Sequence, residues 1–122
     1  MVENFAQNTQ EIVSVSELNK KARKLLEKNF PFVWVEGEVS NFFSASSGHW
    51  YFSLKDSDSE IRCAMFANKN DFIQFLPKDG DKLIVNGSLS IYEGRGQYQL
   101  IIEYAELAGQ GALLRAFEDL KK

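Results

Sequence analysis

The side chains with the clearest chemical potential are aromatic and cationic residues that alternate with apolar ones in the segment HWYFSLKD. One parity contains Trp50, Phe52 and Leu54, and the other contains Tyr51 and Lys55. Such alternation is typical of a half-buried strand, whose successive side chains point to opposite faces. We therefore expect the apolar set to face a core, with Tyr51 and Lys55 on the outer face.

The segment EIRCAMFA repeats this alternation a few residues later. Its inner parity contains Ile61, Cys63 and Met65, and its outer parity contains Arg62 and Phe66. The shared outer face of the two predicted strands would then carry Tyr51, Lys55, Arg62 and Phe66. Single-stranded nucleic acid requires this combination, because bases stack on aromatic rings and phosphates meet cations.

Two predicted loops add further aromatic side chains. The first loop, NFFSASSG, contains Phe42 and Phe43, and the second, YEGRGQY, contains Tyr92, Arg95 and Tyr98. Glycines beside Arg95 would let a phosphate approach the backbone closely. The alternative is that these rings close the ends of a barrel or pack against flanking helices. Trp34 and Tyr104 are interpreted as packing residues.

Catalytic chemistry is hard to build from the remaining residues. The sequence lacks the phosphate-loop, dinucleotide, zinc-protease and nucleophile-elbow motifs. His49 is the single histidine, and its place beside Trp50 favours a loop-anchoring role over general-base catalysis. The acidic run DSDSE could hold a divalent ion, but Asp and Ser are also expected in a turn. We expect no catalytic residue, no metal site and no cofactor in this chain.

Composition sets broader limits. The 122 residues suit one domain, and 44% hydrophobic with 25% charged residues is typical of a folded globular chain. A net charge of −3 excludes a uniformly basic nucleic-acid binder but not a locally basic groove. No apolar stretch is long enough to span a bilayer, and the N-terminus lacks the features of a secretory signal. The single cysteine, Cys63, is expected to be a buried apolar side chain.

The elements that must position these side chains follow from periodicity and turn residues. An amphipathic helix with a capping box at Ser14 and Glu17 precedes a strand over about 32–41. Further strands are HWYFSLKD, EIRCAMFA, DKLIVNGSLSIY and YQLIIEYAEL. A short helix in NKNDFIQFL, between the third and fourth strands, would turn Phe72, Phe75 and Leu76 inward. A last helix would run over 112–122.

This order of elements predicts the fold class and the domain limits. Five strands with a helix between the third and fourth indicate a mainly β, five-stranded OB-fold barrel, here with a flanking helix at either end. Residues 1–12 are expected to be a flexible tail, and 13–110 the nucleic-acid-binding domain with its N-terminal helix. Residues 111–122 would begin a linker helix that runs to the last residue without a C-cap, which suggests a chain cut within a larger protein.

Three segments of the chain carry a family resemblance. The sequences SVSELNKKARKLLEKNFPFVWVEGEVSN, SSGHWYFSLKDSDSEIRCAMF and SIYEGRGQYQLIIEYAELAGQGAL closely resemble the N-terminal part of exodeoxyribonuclease VII large subunits. The resemblance implies an OB-fold domain that binds single-stranded DNA ahead of a separate catalytic domain. It also implies a hydrolase of the bacterial cytoplasm, active in DNA catabolism, that degrades single-stranded DNA to oligonucleotides as an exonuclease. The small subunit would bind regions absent here, and this fragment alone would be inactive.

The chain departs from the family pattern at one position of the hairpin, and two other functions stay open. The family hairpin usually has proline where this chain has Gly94, so the loop should be more flexible and Arg95 less preorganised. An anticodon-binding OB domain would use similar rings on RNA and contact the 2′-hydroxyl. An OB module for protein interaction would show no salt-dependent oligonucleotide binding.

Overall fold

The computed structural model describes residues 11–109, which form one helix, a five-stranded barrel and one short helical turn. In chain order the elements are α1 (Val15–Asn29), β1 (Val33–Ser44), β2 (Trp50–Lys55), β3 (Glu60–Met65), α2 (Ala67–Asn70), β4 (Lys82–Tyr92) and β5 (Gln97–Leu107). The strands close in the order β1-β2-β3-β5-β4. The predicted OB-fold barrel, with its N-terminal helix and the helix between β3 and β4, is confirmed. The predicted tail at 1–12 and the helix at 112–122 lie largely or wholly outside the described residues.

The barrel closes through strand β1, which changes partner along its length. Its first half pairs with β4 from Val33 to Glu38, and its second half pairs with β2 from Glu38 to Ser44. The register with β2 shifts between Ser40 and Phe43, where Asn41 has a positive φ of 55°. Asparagine tolerates this left-handed conformation better than most residues, so it suits a bulge at which the strand bends.

This bulge corrects the predicted loop at NFFSASSG. Phe42 and Phe43 belong to β1, which continues to Ser44, rather than to a loop that begins at Asn41. The Asp79 carboxylate accepts the Phe42 backbone N–H at 2.9 Å, which satisfies a donor left unpaired by the irregular ladder. The strand therefore extends past the point where polar residues suggested that it ends.

A second irregularity lies where β4 meets β5. The register shifts between Asn86 and Gly87, and Gly87 is buried opposite Val33 of β1. A Cβ atom on Gly87 would overlap the carbonyl group of Ile101. The close approach of the two backbones thus requires glycine at this position.

The core fills the barrel with the apolar parity of every strand. Its fully buried large side chains come from all five strands and include Val39, Phe52, Met65, Leu83, Val85, Leu100 and Ile102. The inner parities predicted for β2 and β3 are confirmed, because Phe52, Leu54, Cys63 and Met65 all belong to this cluster. The outer faces of these two strands are consequently free to carry other chemistry.

Cys63 is expected to be chemically inert in the folded protein. Burial raises the pKa of its thiol to about 12, and only 2% of the residue is exposed. At pH 8 the folded protein then holds almost no thiolate, which is the reactive form. A chromogenic disulfide reagent should label the protein fully in concentrated urea and only very slowly without it. Equal labelling rates in the two conditions would contradict this burial.

Helix α1 begins with the predicted capping box and packs beside the second half of β4. The Ser14 hydroxyl accepts the Glu17 backbone N–H at 3.1 Å, and the Glu17 carboxylate accepts the Ser14 N–H at 3.0 Å. These hydrogen bonds lower the pKa of the Glu17 carboxyl. At the other end of the helix, the Ser90 hydroxyl donates a hydrogen bond to the Glu27 carboxylate, with 2.7 Å between the two oxygen atoms. The helix is thereby fixed along one edge of the outer barrel surface.

The predicted helix after β3 is much shorter than NKNDFIQFL. It spans only Ala67–Asn70, and the Asn70 amide donates to the carbonyl groups of Gly48 and Met65. The chain then continues irregularly, with Phe75 packed on the core but Phe72 exposed by 83% and Leu76 by 66%. The prediction that Phe72 and Leu76 turn inward is therefore wrong, because a single helical turn cannot align all three side chains.

Within residues 11–109, no helix is both long enough and apolar enough to cross a membrane.

Candidate nucleic-acid interface

The outer face of β2 and β3 carries Tyr51 and Arg62, two of the four side chains that strand parity predicted there. Arg62 lies opposite Ser53 in the β2–β3 ladder, and its Nη1 atom donates to the Ser53 hydroxyl at 3.2 Å. Tyr51 lies opposite Ala64, one residue pair along the ladder from Cys63. Ser53 and Ala64 are small and buried under these larger neighbours. The result is a low floor between Tyr51 and Arg62.

An aromatic row extends from Tyr51 toward the start of α2. The His49 ring lies between the rings of Tyr51 and Phe66, with centroids 6.4 Å and 5.1 Å away, and meets both edge-on. Its Nδ1 atom accepts the Ala67 backbone N–H at 3.0 Å, so the expected anchoring role of His49 is confirmed. The three rings form a continuous row on the outer surface.

The position of Phe66 differs from the prediction in one respect. Strand β3 ends at Met65, and Phe66 is the N-cap residue of α2 rather than a member of the strand. Its carbonyl oxygen accepts the backbone N–H groups of Lys69 and Asn70. The ring is nevertheless 39% exposed, because the chain leaves the strand still extended before the helical turn.

The hairpin between β4 and β5 completes a groove over this floor. Five side chains line the depression, which has a volume of about 320 Å³, together with Cys63: Tyr51, Arg62, Tyr92, Gln97 and Gln99. Of the predicted residues, the structure thus brings together Tyr51, Arg62 and Tyr92. We call this depression the tyrosine groove.

Gln97 and Gln99 are the residues of this groove that sequence reasoning missed. Gln99 lies next to Arg62 in the parallel β3–β5 ladder, and Gln97 lies opposite Tyr92. A signal for both was present, because they share the outer parity of β5 while Leu100 and Ile102 share the inner one. The predicted loop YEGRGQY includes Gln97, whereas Gln99 already lies in the predicted strand YQLIIEYAEL, on its outer parity.

The hairpin tip is supported by α1 from behind. The Asn19 amide donates to the Glu93 carbonyl oxygen at 3.0 Å, and Arg23 forms an ion pair with the Glu93 carboxylate at 2.7 Å. Gly96 has a positive φ of 62° and a Cβ there would press on the Asn19 side chain. Arg95 lies at this tip, and within residues 11–109 its side chain makes no ion pair.

Lys55 and Tyr98, two further residues of the predicted site, do not line the tyrosine groove. Both line a separate depression of about 330 Å³ whose other members include Glu36, Asp56 and Glu60. Tyr98 is the second residue of β5 and has the inner parity, so it covers the mouth of the barrel instead of extending a loop. Three carboxylates around one lysine make this end of the barrel unfavourable for phosphates.

The acidic turn beside Lys55 has the geometry of a turn. The Asp56 carboxylate accepts the backbone N–H groups of Asp58 and Ser59, each at 2.8 Å. These two hydrogen bonds hold the pKa of Asp56 below its ordinary value. Asp56 therefore serves the loop conformation, as Asp commonly does in turns.

The bulge at Asn41 separates the two phenylalanines that follow it. Phe42 is partly buried and packs its ring against Trp50 and Phe52, with centroids 5.7 Å and 5.9 Å away. Phe43 is 61% exposed and lies opposite Tyr51 in the β1–β2 ladder. Phe42 thus follows the packing alternative, whereas Phe43 borders the aromatic row.

Trp34 was interpreted as a packing residue, and the structure shows it at the surface. It is 47% exposed and meets the rings of Phe32 and Tyr104 edge-on. These rings lie on the outer side of β1 and β5, away from the tyrosine groove. The exposure of Trp34 follows from its outer parity in β1, since Val33 and Val35 pack against the core.

Comparisons with known proteins agree with this geometry. Residues 13–106 match the family described as an OB-fold nucleic acid binding domain. The chain is also 57% identical over 108 residues to the exodeoxyribonuclease 7 large subunit of Hahella chejuensis, covering 88% of this chain and 24% of that protein. It is 49% identical to the same subunit of Xanthomonas campestris pv. campestris, covering 96% of this chain and 26% of that protein. The chain therefore spans about a quarter of the length of these relatives.

Solved structures show the same fold at much lower sequence identity. A replication protein A heterotrimer bound to ssDNA aligns with a TM-score of 0.53 and 11% identity over 73% of this chain and 66% of that chain. The asparaginyl-tRNA synthetase of Pyrococcus horikoshii aligns with a TM-score of 0.53 and 17% identity over 63% of this chain and 19% of that chain. At these identities the likeness concerns the fold alone.

The resemblance that the three sequence segments carry is confirmed by relatives that share half or more of the aligned residues. The barrel, the match over 13–106 and these relatives lead to one conclusion. The chain belongs to the family of OB-fold nucleic-acid-binding domains, in the form found in exodeoxyribonuclease VII large subunits.

Proposed function

We propose that this domain binds single-stranded DNA across the tyrosine groove and the aromatic row, and presents it to a catalytic domain outside this chain. The full protein would then act as the large subunit of exodeoxyribonuclease VII in the bacterial cytoplasm, degrading single-stranded DNA to oligonucleotides. Its small subunit would bind regions that this chain does not contain.

The observation that carries this proposal is the joint placement of Tyr51, Arg62 and Tyr92 in one depression. The two tyrosine rings offer stacking surfaces to unpaired bases, and the Arg62 guanidinium offers N–H donors to a phosphate or a base. Arg62 is held by Ser53 but is not neutralised by a carboxylate within residues 11–109. Charge and aromatic surface therefore coincide here.

The rest of the surface supports the same path for the strand. Phe43 flanks Tyr51 on the β1 side, and Phe66 extends the row through His49. Arg95 projects from the supported hairpin next to Tyr92. A strand running from Arg95 over Tyr51 to Phe66 would meet rings and cations in alternation, whereas the opposite barrel mouth offers mainly carboxylates.

Binding should prefer single strands to duplex and should weaken with salt to a modest degree. Each phosphate contact to a single strand contributes a slope of about −0.7 in log K against log[salt], so two or three cations give roughly −1 to −2. Arg62→Ala should weaken binding and reduce the slope by about 0.7. Fluorescence anisotropy with a labelled oligonucleotide at several salt concentrations measures both quantities.

The matched control for this experiment is Lys82→Ala, which removes a cation beside Glu36 and Glu38 at the far mouth of the barrel. It should leave the slope unchanged. The labelled strand should also remain intact, because the fragment is proposed to lack nuclease activity. Tighter binding to blunt duplex, or to a matched RNA, would contradict the proposed single-stranded DNA function.

A further inference from the structure

A polar row crosses the barrel and contributes Arg62 and Gln99 to the tyrosine groove. Ser53 of β2 lies opposite Arg62 of β3, Arg62 beside Gln99 of β5, and Gln99 opposite Ser90 of β4. The two ends of the row are already engaged, since Ser53 accepts from Arg62 and Ser90 donates to Glu27 of α1. Gln99 is half-buried at the centre of the row.

The two glutamines in the groove keep their hydrogen-bonding capacity. Within residues 11–109 neither the Gln97 nor the Gln99 amide group makes a side-chain hydrogen bond. An amide offers two N–H donors and an oxygen acceptor, and a guanidinium offers five donors, of which Arg62 uses one on Ser53. Phosphate oxygens only accept, so donors alone would suffice to bind the backbone. The amide oxygens of Gln97 and Gln99 are acceptors, so they indicate a ligand that also has hydrogen-bond donors.

Nucleobase edges have that mixed character, and the side chains in the groove favour one class of base. An Arg fork matches the O6 and N7 acceptors of guanine, and a Gln amide matches the N6 donor and N7 acceptor of adenine. Both pairings use N7, which pyrimidines lack. A purine also presents a larger face than a pyrimidine to the rings of Tyr51 and Tyr92, which line the same groove.

We infer that the tyrosine groove is a purine-selective site, in which one unstacked base lies against Tyr51 or Tyr92 while Arg62 and Gln99 read its N7 edge. This inference rests on the proposed binding of single-stranded DNA and adds base selectivity to it. Gln97, opposite Tyr92 at the rim, contributes a second amide to the same edge. The domain then favours purine-containing positions among otherwise equivalent single strands.

The experiment compares five nine-residue DNA oligonucleotides: all thymidine, the same strand with one central deoxyguanosine or deoxyadenosine, and each of these two strands with the corresponding 7-deaza purine. Each purine strand should bind about five- to tenfold tighter than the thymidine strand, at the lower end of what one bidentate contact provides. Its 7-deaza counterpart should lose most of this advantage, because only its N7 acceptor is missing.

Two variants test which residue reads the base. Gln99→Met keeps the length of the side chain but removes the amide, so it should abolish the advantage of the adenine strand, measured as the ratio of its affinity to that of the thymidine strand. Gln74→Met changes an exposed glutamine in the segment after α2 and should keep the advantage. Melting temperatures establish that both variants are folded.

The outcomes separate this inference from the proposed function. Equal binding of all these oligonucleotides overturns purine selectivity while single-stranded DNA binding stands. Retention of the advantage by the 7-deaza strands overturns the recognition of the N7 edge, and retention of the adenine advantage by Gln99→Met overturns the assignment of Gln99. Absence of binding to every oligonucleotide overturns the proposed function and the inference together.

Discussion

Gly87→Ala is expected to destabilise the domain by about 3 kcal/mol or more, which corresponds to a melting temperature lower by roughly 12–24 °C. The added Cβ would overlap the Ile101 carbonyl group. Neither group can move aside, because the backbones of β4 and β5 in the closed barrel fix the positions of both. Relief would require β4 and β5 to separate at their register shift, with loss of ladder hydrogen bonds. Thermal unfolding followed by circular dichroism measures the change.

Gly94→Ala is the matched control for this substitution. A Cβ on Gly94 would meet only the Tyr92 ring, at 3.7 Å or more, which is an ordinary van der Waals contact. The control should therefore melt close to the wild type. A Gly87→Ala protein as stable as the Gly94→Ala protein would show that the two strands do not approach as closely as described.

Tyr51→Ala is expected to weaken binding of single-stranded DNA by about 5- to 150-fold, because stacking of one base on an aromatic ring contributes about 1–3 kcal/mol. Tyr51 both lines the tyrosine groove and begins the row that continues through His49. Its loss therefore interrupts the proposed path at the centre. Tyr51→Phe should bind nearly as well as the wild type, since it keeps the ring and removes only the hydroxyl.

Tyr98→Ala offers a control with the same loss of a tyrosine ring. Tyr98 is half exposed at the barrel mouth beside Glu36 and Glu60, on the inner parity of β5. Its truncation should change affinity by less than about twofold if the strand follows the tyrosine groove. If Tyr98→Ala weakened binding as much as Tyr51→Ala, the acidic mouth would have to be part of the interface.

Strand parity allowed the outward-facing side chains of β2 and β3 to be predicted in large part. In β2 and β3 every second residue is strongly apolar, so the outward direction of Tyr51 and Arg62 follows from the pleat alone. The succession of elements along the chain and the capping box of α1 could likewise be predicted, because each depends on residues that are close together in the sequence.

The errors within the strands come from irregularities that parity cannot detect. Asn41 adopts a left-handed conformation and inserts a bulge, which turns Phe42 to the core and Phe43 to solvent. Polar residues and glycines suggested loops at the end of β1 and at the start of β5. The structure has paired strands at both positions, β1 with β2 and β5 with β4. Pairing across the barrel decides these positions, and it depends on partners far away in the sequence.

The contact between α1 and the hairpin makes the helix more than a flanking element. Asn19 and Glu93 are separated by 74 positions in the chain, yet they join the first helix to the tip that carries Arg95. A shortened domain that begins after Asn29 would keep every strand and lose this support. Because coupling between α1 and the hairpin is reciprocal, a nucleic acid that binds the hairpin would also stabilise the helix against fraying. Occupancy of the proposed binding face would thus be coupled to the integrity of α1, which any minimal version of the domain would have to include.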